Sequence, residues 1–165
     1  MMTEFAPGED TARLFRDALG RFATGGTVVT CQGETAPLGI TANSFASLSL
    51  DPPLVLWSPA KASTRYVPFR DAERFAIHVL GEEQKDLCMA FASKDSDFSA
   101  VNWVEGAHGL PMIDGCLARF ECTRHAVHDG GDHALVVGRV EAVTLREGDP
   151  LIFAKGAFGT FASMI

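Results

Sequence analysis

The stretch CLARFECTRHAVHDGGDHALVVGRVEAVTL, residues 116–145, decides the fold class. Its first half has period two: Ala118, Phe120 and Cys122 fall on one face, Arg119, Glu121 and Thr123 on the other. Asp-Gly-Gly-Asp at 129–132 is a strong turn signal, because glycine accepts positive φ and aspartate bonds its local backbone. The valine-rich run 133–145 returns as the partner strand. A long antiparallel hairpin is therefore expected.

Working outward, residues 27–31 and 36–42 read as strands joined across a Gly-Glu turn. Pro52-Pro53 opens another at 54–58, since proline fits a strand's first residues but not its middle. Residues 74–80 supply one more. Helical patterns are few. Asp10 or Thr11 can cap a helix whose Leu14, Phe15, Ala18, Leu19 and Phe22 form an apolar stripe, ended by Gly25-Gly26. Ser63 opens a short helix that Pro68 should stop, and 82–91 is a helix with acidic residues in its first turn. Residues 93–115 lack periodicity and read as a long loop. Several strands with short connections and few helices predict an antiparallel, closed or nearly closed sheet, a mainly β barrel with peripheral helices. With no repeat or linker, residues 1–165 read as a single domain.

Composition narrows the function. A net charge of −7 argues against nucleic acid, which selects basic surfaces, but not against a small anion held by local donors. No apolar run approaches membrane-spanning length, and MMTEFAPGED lacks the basic flank and apolar centre of a secretory signal. Cys31, Cys88, Cys116 and Cys122 form no CxxC pair or zinc spacing, so reduced thiols in a cytoplasmic protein are expected. No G-x-S-x-G elbow is present, which disfavours a hydrolase. His125 and His128 should point to opposite faces of a strand, so no metal is expected with Asp129 and His133.

Two segments carry the chemistry. GITANSFASLSLDPPLVLWSPAKAST, residues 39–64, mixes hydroxyls, small side chains, an amide and a lysine between apolar strands. Alternation puts Gly39, Thr41 and Asn43 on one face, where glycine would admit a flat ring and the other two would offer donors to its polar edge. Lys61, Ser63 and Thr64 would meet a phosphate at a helix N-terminus, with Arg65 a further cation of unreadable direction. HDGGDHALVVGRV, residues 128–140, is the second segment.

In this order and spacing, over about residues 15–158, the two segments resemble the short-chain flavin reductase family. The resemblance implies the FMN-binding split β-barrel, antiparallel and Greek-key-like, with a core at about 12–162 and usually a homodimer. It implies hydride transfer from NADH or NADPH to FMN or FAD, with reduced flavin diffusing to a separate monooxygenase. Flavin contacts are then expected from Pro37, Gly39, Thr41, Asn43, Ser44, Ser58, Ala60, Lys61, Ser63 and Thr64, and from Ala90, Phe91 and Ser93 at a helix end. Gly131-Asp132-His133 matches the family's Gly-Asp-His motif for NAD(P)H, with His133 the residue nearest the chemistry. Lys155, Gly156 and Phe158 stand where relatives carry an aromatic-Arg-Gly-x-aromatic pattern. Lysine there lacks the planar fork of arginine. The cofactors carry the chemistry, so no acid, nucleophile or metal is required. Rival readings are a flavin-binding electron carrier of the same fold, a pyridoxamine-phosphate-type oxidase lacking its usual arginine-rich site, and a ligand-free dimerisation domain.

Overall fold

β-branched residues form the central ladders, and bulky apolar side chains pack on both of their faces. The computed structural model describes residues 1–165. Its strands are β1 (Thr24–Gly25), β2 (Thr27–Gln32), β3 (Pro37–Ala42), β4 (Ala46–Leu50), β5 (Pro53–Trp57), β6 (Arg74–Val79), β7 (Trp103–Glu105), β8 (Pro111–Ile113), β9 (Ala118–Gly130), β10 (His133–Leu145), β11 (Ile152–Ala154) and β12 (Ala157–Gly159). Its helices are α1 (Ala12–Leu19), α2 (Tyr66–Asp71) and α3 (Lys85–Ala92).

Seven strands make one sheet in the order β3-β2-β6-β9-β10-β5-β4, antiparallel at every step. The order has two ends, β3 and β4, so the barrel is split rather than sealed by backbone hydrogen bonds. β2 is buried on both faces, and its alternation divides the interior in two. Val29 and Cys31 join Trp57, Phe69, Phe75, Ile77 and Val136 inside the curled sheet. Val28 turns outward to Leu80, Cys88, Phe91, Phe98, Ile113 and Leu151, a second core roofed by α3. Each fully buried aromatic stabilises by about 1.5–3 kcal/mol.

The β9–β10 hairpin is as long as expected, with a tighter turn: Gly130 pairs with His133, and Gly131 (φ 75) and Asp132 make the bend. His125 and Glu141 are extra residues at two bulges. The bulge at His125 removes the simple parity on which opposite faces for His125 and His128 were argued. Gly138 is required where the hairpin crosses the core, since a Cβ there would lie 2.6 Å from Phe75.

Other expectations need correction. α1 stops at Leu19, and its stripe stays partly exposed; Thr11 does not cap it but bonds Ala6 O at 2.9 Å. Gly25 and Gly26 instead lie in and after β1, where Gly26 N donates to Leu151 O at 2.9 Å. α2 starts at Tyr66 and runs through Pro68, which sits in the first turn where no intrahelical acceptor awaits its missing N–H. α3 follows a 3-10 turn at Glu82–Gln84. β4 was not expected, because the serine-leucine pattern of this edge strand buries little. Within 93–115 lies the small β7–β8 hairpin. Two buried polar side chains bolt it to the sheet: Thr30 donates to Pro111 O, and His78 Nε2 accepts from Ile113 N at 3.1 Å. The four cysteines are free, and desolvation pushes the Cys31 and Cys122 thiols up to about 12. At mildly basic pH, a thiol reagent is expected to modify the native protein far more slowly than the urea-unfolded chain. Equal rates would show that these thiols are accessible.

Candidate functional site

The site forms because β5 pairs with β10 and the pairing continues past the strand ends. Val136 faces Trp57; beyond it, Ala134 N donates to Pro59 O at 3.1 Å, Ala60 bridges His133, and Lys61 N donates to Asp132 O at 2.8 Å. Ser44 Oγ accepts from Ser58 N at 2.9 Å, tying the exit of β3 to the exit of β5. Together these place Thr41, Asn43, Ser44, Ser58, Ala60 and His133 around one cavity of about 180 Å³. Ile40, Ala42, Trp57 and Pro59 complete its wall. Hydroxyls and an amide, with an imidazole beside them, give an otherwise apolar wall a small set of donors and acceptors. That set fits the polar edge of a planar heterocycle such as a flavin.

Asp132 does more than shape its turn. Its carboxylate accepts from His133 Nδ1 at 2.7 Å, which leaves Nε2 as the free ring nitrogen. The same hydrogen bond holds the Asp132 carboxyl below its ordinary range.

A second groove, about 680 Å³, opens from Thr41 and Asn43. Lys85, Cys88, Met89 and Ala92 of α3 form one bank, and Phe153, Gly156 and Phe158 of the β11–β12 hairpin the other. Lys85 Nζ lies 5.9 Å from the Phe158 ring centroid, and Phe153 and Phe158 pack at 5.3 Å. Asn43, which is exposed, borders both spaces.

Other expected residues are used elsewhere. Gly39 packs under α3: a Cβ there would sit 2.5 Å from the ring of Phe91, so its smallness admits the helix. Thr41 shares that face and donates its hydroxyl to Cys88 O. Pro37 opens β3 and lies outside the cavity wall, three residues and about 10 Å of extended chain before Ile40. Phe91 is wholly buried and offers a ligand no side-chain surface. Ser93 closes the end of α3 through Ala90 O at 2.8 Å, with Ala90 and Ser93 exposed beside it. Ser63 and Thr64 precede α2 rather than beginning it, and Ser63 Oγ accepts from Arg65 N at 3.2 Å. The Lys61 ammonium is paired with Asp129, both at the surface. Gly131 is at the exposed hairpin tip, and Lys155 at the tip of the β11–β12 turn.

Arg65 is the residue that sequence reasoning undervalued. Its guanidinium turns inward, donating to Gly39 O at 2.9 Å, Phe91 O at 3.2 Å and Ser93 O at 2.6 Å. It thereby clamps β3 to the carbonyl end of α3, a favourable place for a cation. Burial lowers its pKa. Only the tertiary fold sets the direction of so long a side chain. Ser96 adds to the clamp, accepting from Gly39 N at 3.0 Å and donating to Gly39 O at 2.6 Å.

Comparison with known proteins bears directly on this site. Residues 19–162 match the family model described as flavin reductase like domain. The chain is 52% identical over 158 residues to FMN reductase (NADH) SmoA of Agrobacterium fabrum, covering 96% of this chain and 91% of the relative. It is 42% identical over 148 residues to HsaB, the reductase subunit of a flavin-dependent monooxygenase of Rhodococcus jostii, covering 88% and 76%. Among solved structures, the Streptomyces globisporus C-1027 NADH:FAD oxidoreductase SgcE6, in complex with NAD and FAD fragments, aligns with TM-score 0.90 and 37% identity over 98% of this chain and 99% of that one.

Proposed function

The chain belongs to the flavin reductase like family, and from that premise we propose that it is an NADH-dependent flavin reductase supplying reduced flavin to a separate monooxygenase. The observation that carries this reading is the single cavity shared by Asn43, Ser44, Ser58 and His133, opening at Asn43 into the groove lined by Phe158. When both are bound, the nicotinamide supplies a hydride and the flavin accepts it as two electrons and a proton. Asn43 and Ser44 offer donors to the ring's polar edge, and His133, oriented by Asp132, holds the mouth of the cavity. The split between cavity and groove gives each ring its own wall. Residues 1–165 act in this reading as one flavin-reductase-like unit.

Purified protein is expected to oxidise NADH only when FMN or FAD is added. No oxidation with either flavin would overturn the reading. Flavin binding without NADH turnover would favour the electron-carrier alternative.

We also propose a homodimer. β4 is an unpaired edge, and Leu48, Leu50 (97% exposed), Val143 and Leu145 leave apolar surface near that end of the sheet. Leu50→Glu is expected to shift the sedimentation coefficient from dimer to monomer. A wild-type protein that sediments as a monomer would rule the assembly out. No helix is long and apolar enough to cross a membrane, and with free thiols throughout we place the protein in the cytoplasm.

A further inference from the structure

β3 ends the sheet, so the outer edge of Gly39 meets no neighbouring strand. Side chains stand in for one. Ser96 Oγ accepts from Gly39 N and donates to Gly39 O, and Arg65 donates to the same carbonyl. The Arg65 guanidinium also reaches Phe91 O and Ser93 O, at the end of α3, where a helix leaves carbonyls without intrahelical donors. One side chain therefore joins three segments remote in sequence. β3 supplies the cavity wall from Ile40 to Ala42, and residues 58–65 bring Ser58 and Ala60 to it. α3 forms a bank of the groove.

Stability alone does not account for the arrangement. Arg65 takes no part in the chain's five ion pairs; its charge is met by carbonyls and by the field of Asp95. Its Nε is buried with no hydrogen-bond partner, an unmet donor that folding disfavours. A short neutral side chain can close the edge of β3 without either penalty, as Ser96 already does. What the guanidinium adds is a fixed span from β3 to the end of α3, carried by two terminal nitrogens in one rigid plane. That span matters because the cavity belongs to β3 and the groove to α3. Reacting atoms held in the two must come within about 3–3.5 Å.

We propose that Arg65 is a positioning residue for hydride transfer: it touches neither ring, and it fixes the groove bank against the cavity wall. The proposal rests on the flavin reductase reading. A misplacement of one ångström costs about a hundredfold in rate. Ser96 keeps part of the clamp, so the loss expected on removing Arg65 is about tenfold.

Amide hydrogen exchange in the ligand-free protein tests the clamp without turnover. Arg65→Ala is expected to speed exchange in α3 about tenfold and to leave the β9–β10 hairpin unchanged. Steady-state rates then test the consequence, with FMN and with riboflavin, which lacks the phosphate. Arg65→Ala should lower kcat about tenfold with either flavin while each KM changes less than about threefold. Arg65→Lys, or millimolar guanidinium ion added to Arg65→Ala, should restore part of that rate. Circular dichroism checks that each variant is folded at the assay temperature, and Arg65→Gln replaces Arg65→Ala if the latter is not. Unchanged exchange in α3, a loss wholly in KM, or no recovery by either lysine or guanidinium would overturn the proposal. So would a loss confined to FMN, which would make Arg65 a phosphate ligand. Failure of the reductase reading would show separately, as a wild-type protein that oxidises no NADH when flavin is present.

Discussion

His78→Leu is expected to destabilise the protein by about 4 kcal/mol at neutral pH and to flatten its stability profile between pH 6.5 and 4. His78 is fully buried, with Nδ1–H donating to Val28 O at 3.0 Å and Nε2 accepting from Ile113 N. Leucine fills similar volume but orphans a buried carbonyl and a buried N–H, each costing about 1–3 kcal/mol. Desolvation is the main cause that lowers the His78 pKa from 6.5 to about 4. The unfolded chain therefore takes up this proton first as pH falls. The contribution is full above 6.5, declines through the window and is gone below 4, amounting to about 3 kcal/mol. Urea denaturation of both proteins across that range separates this residue from the carboxylates. Parallel profiles would show that His78 titrates normally and that the hairpin it anchors is held by something else.

The second large effect concerns Gly39. Gly39→Val is expected to cost about 3 kcal/mol and to weaken binding in the groove, because Phe91 must move and α3 forms one bank of it. Phe91→Leu should be destabilising alone yet recover about 1–2 kcal/mol in the Gly39→Val background, the coupling expected of residues in direct contact. A Gly39→Val protein of native stability that has lost only flavin affinity would return this glycine to the ligand. That pattern is what the amino-acid sequence by itself leads one to expect.

Gly39 also shows how far a sequence can be read. Alternation correctly assigns Gly39 and Thr41 to one face of β3, but it is silent about which body covers that face. The cover is α3, forty-six residues further on at its first residue, Lys85. β2, β3, β5 and β6 were legible as β-branched and apolar runs bounded by turn residues, and the β9–β10 hairpin by the period of two in its first half and the turn at its tip. β7, β8, β11 and β12 are three residues each, too short for any period, and serine-rich β4 buries too little to display one. The cavity itself was largely legible, since Thr41, Asn43, Ser44, Ser58, Ala60 and His133 were all expected and are brought together. The supposed phosphate site was not. Ser63 has the chemistry of a helix cap, but α2 begins three residues later, and Arg65 turns away to the carbonyls of α3.

The pairing of residues 58–61 with the start of β10 sets an order on biosynthesis. The wall containing Ser58 and Ala60 is tied to β3 through Ser44 but is not closed until β10 exists to receive it, and His133 is the first residue of β10. A nascent chain leaving the ribosome therefore carries no complete ligand cavity until β10 has emerged. Flavin in the cell cannot guide early folding of this protein; it can only stabilise chains whose barrel has already been assembled.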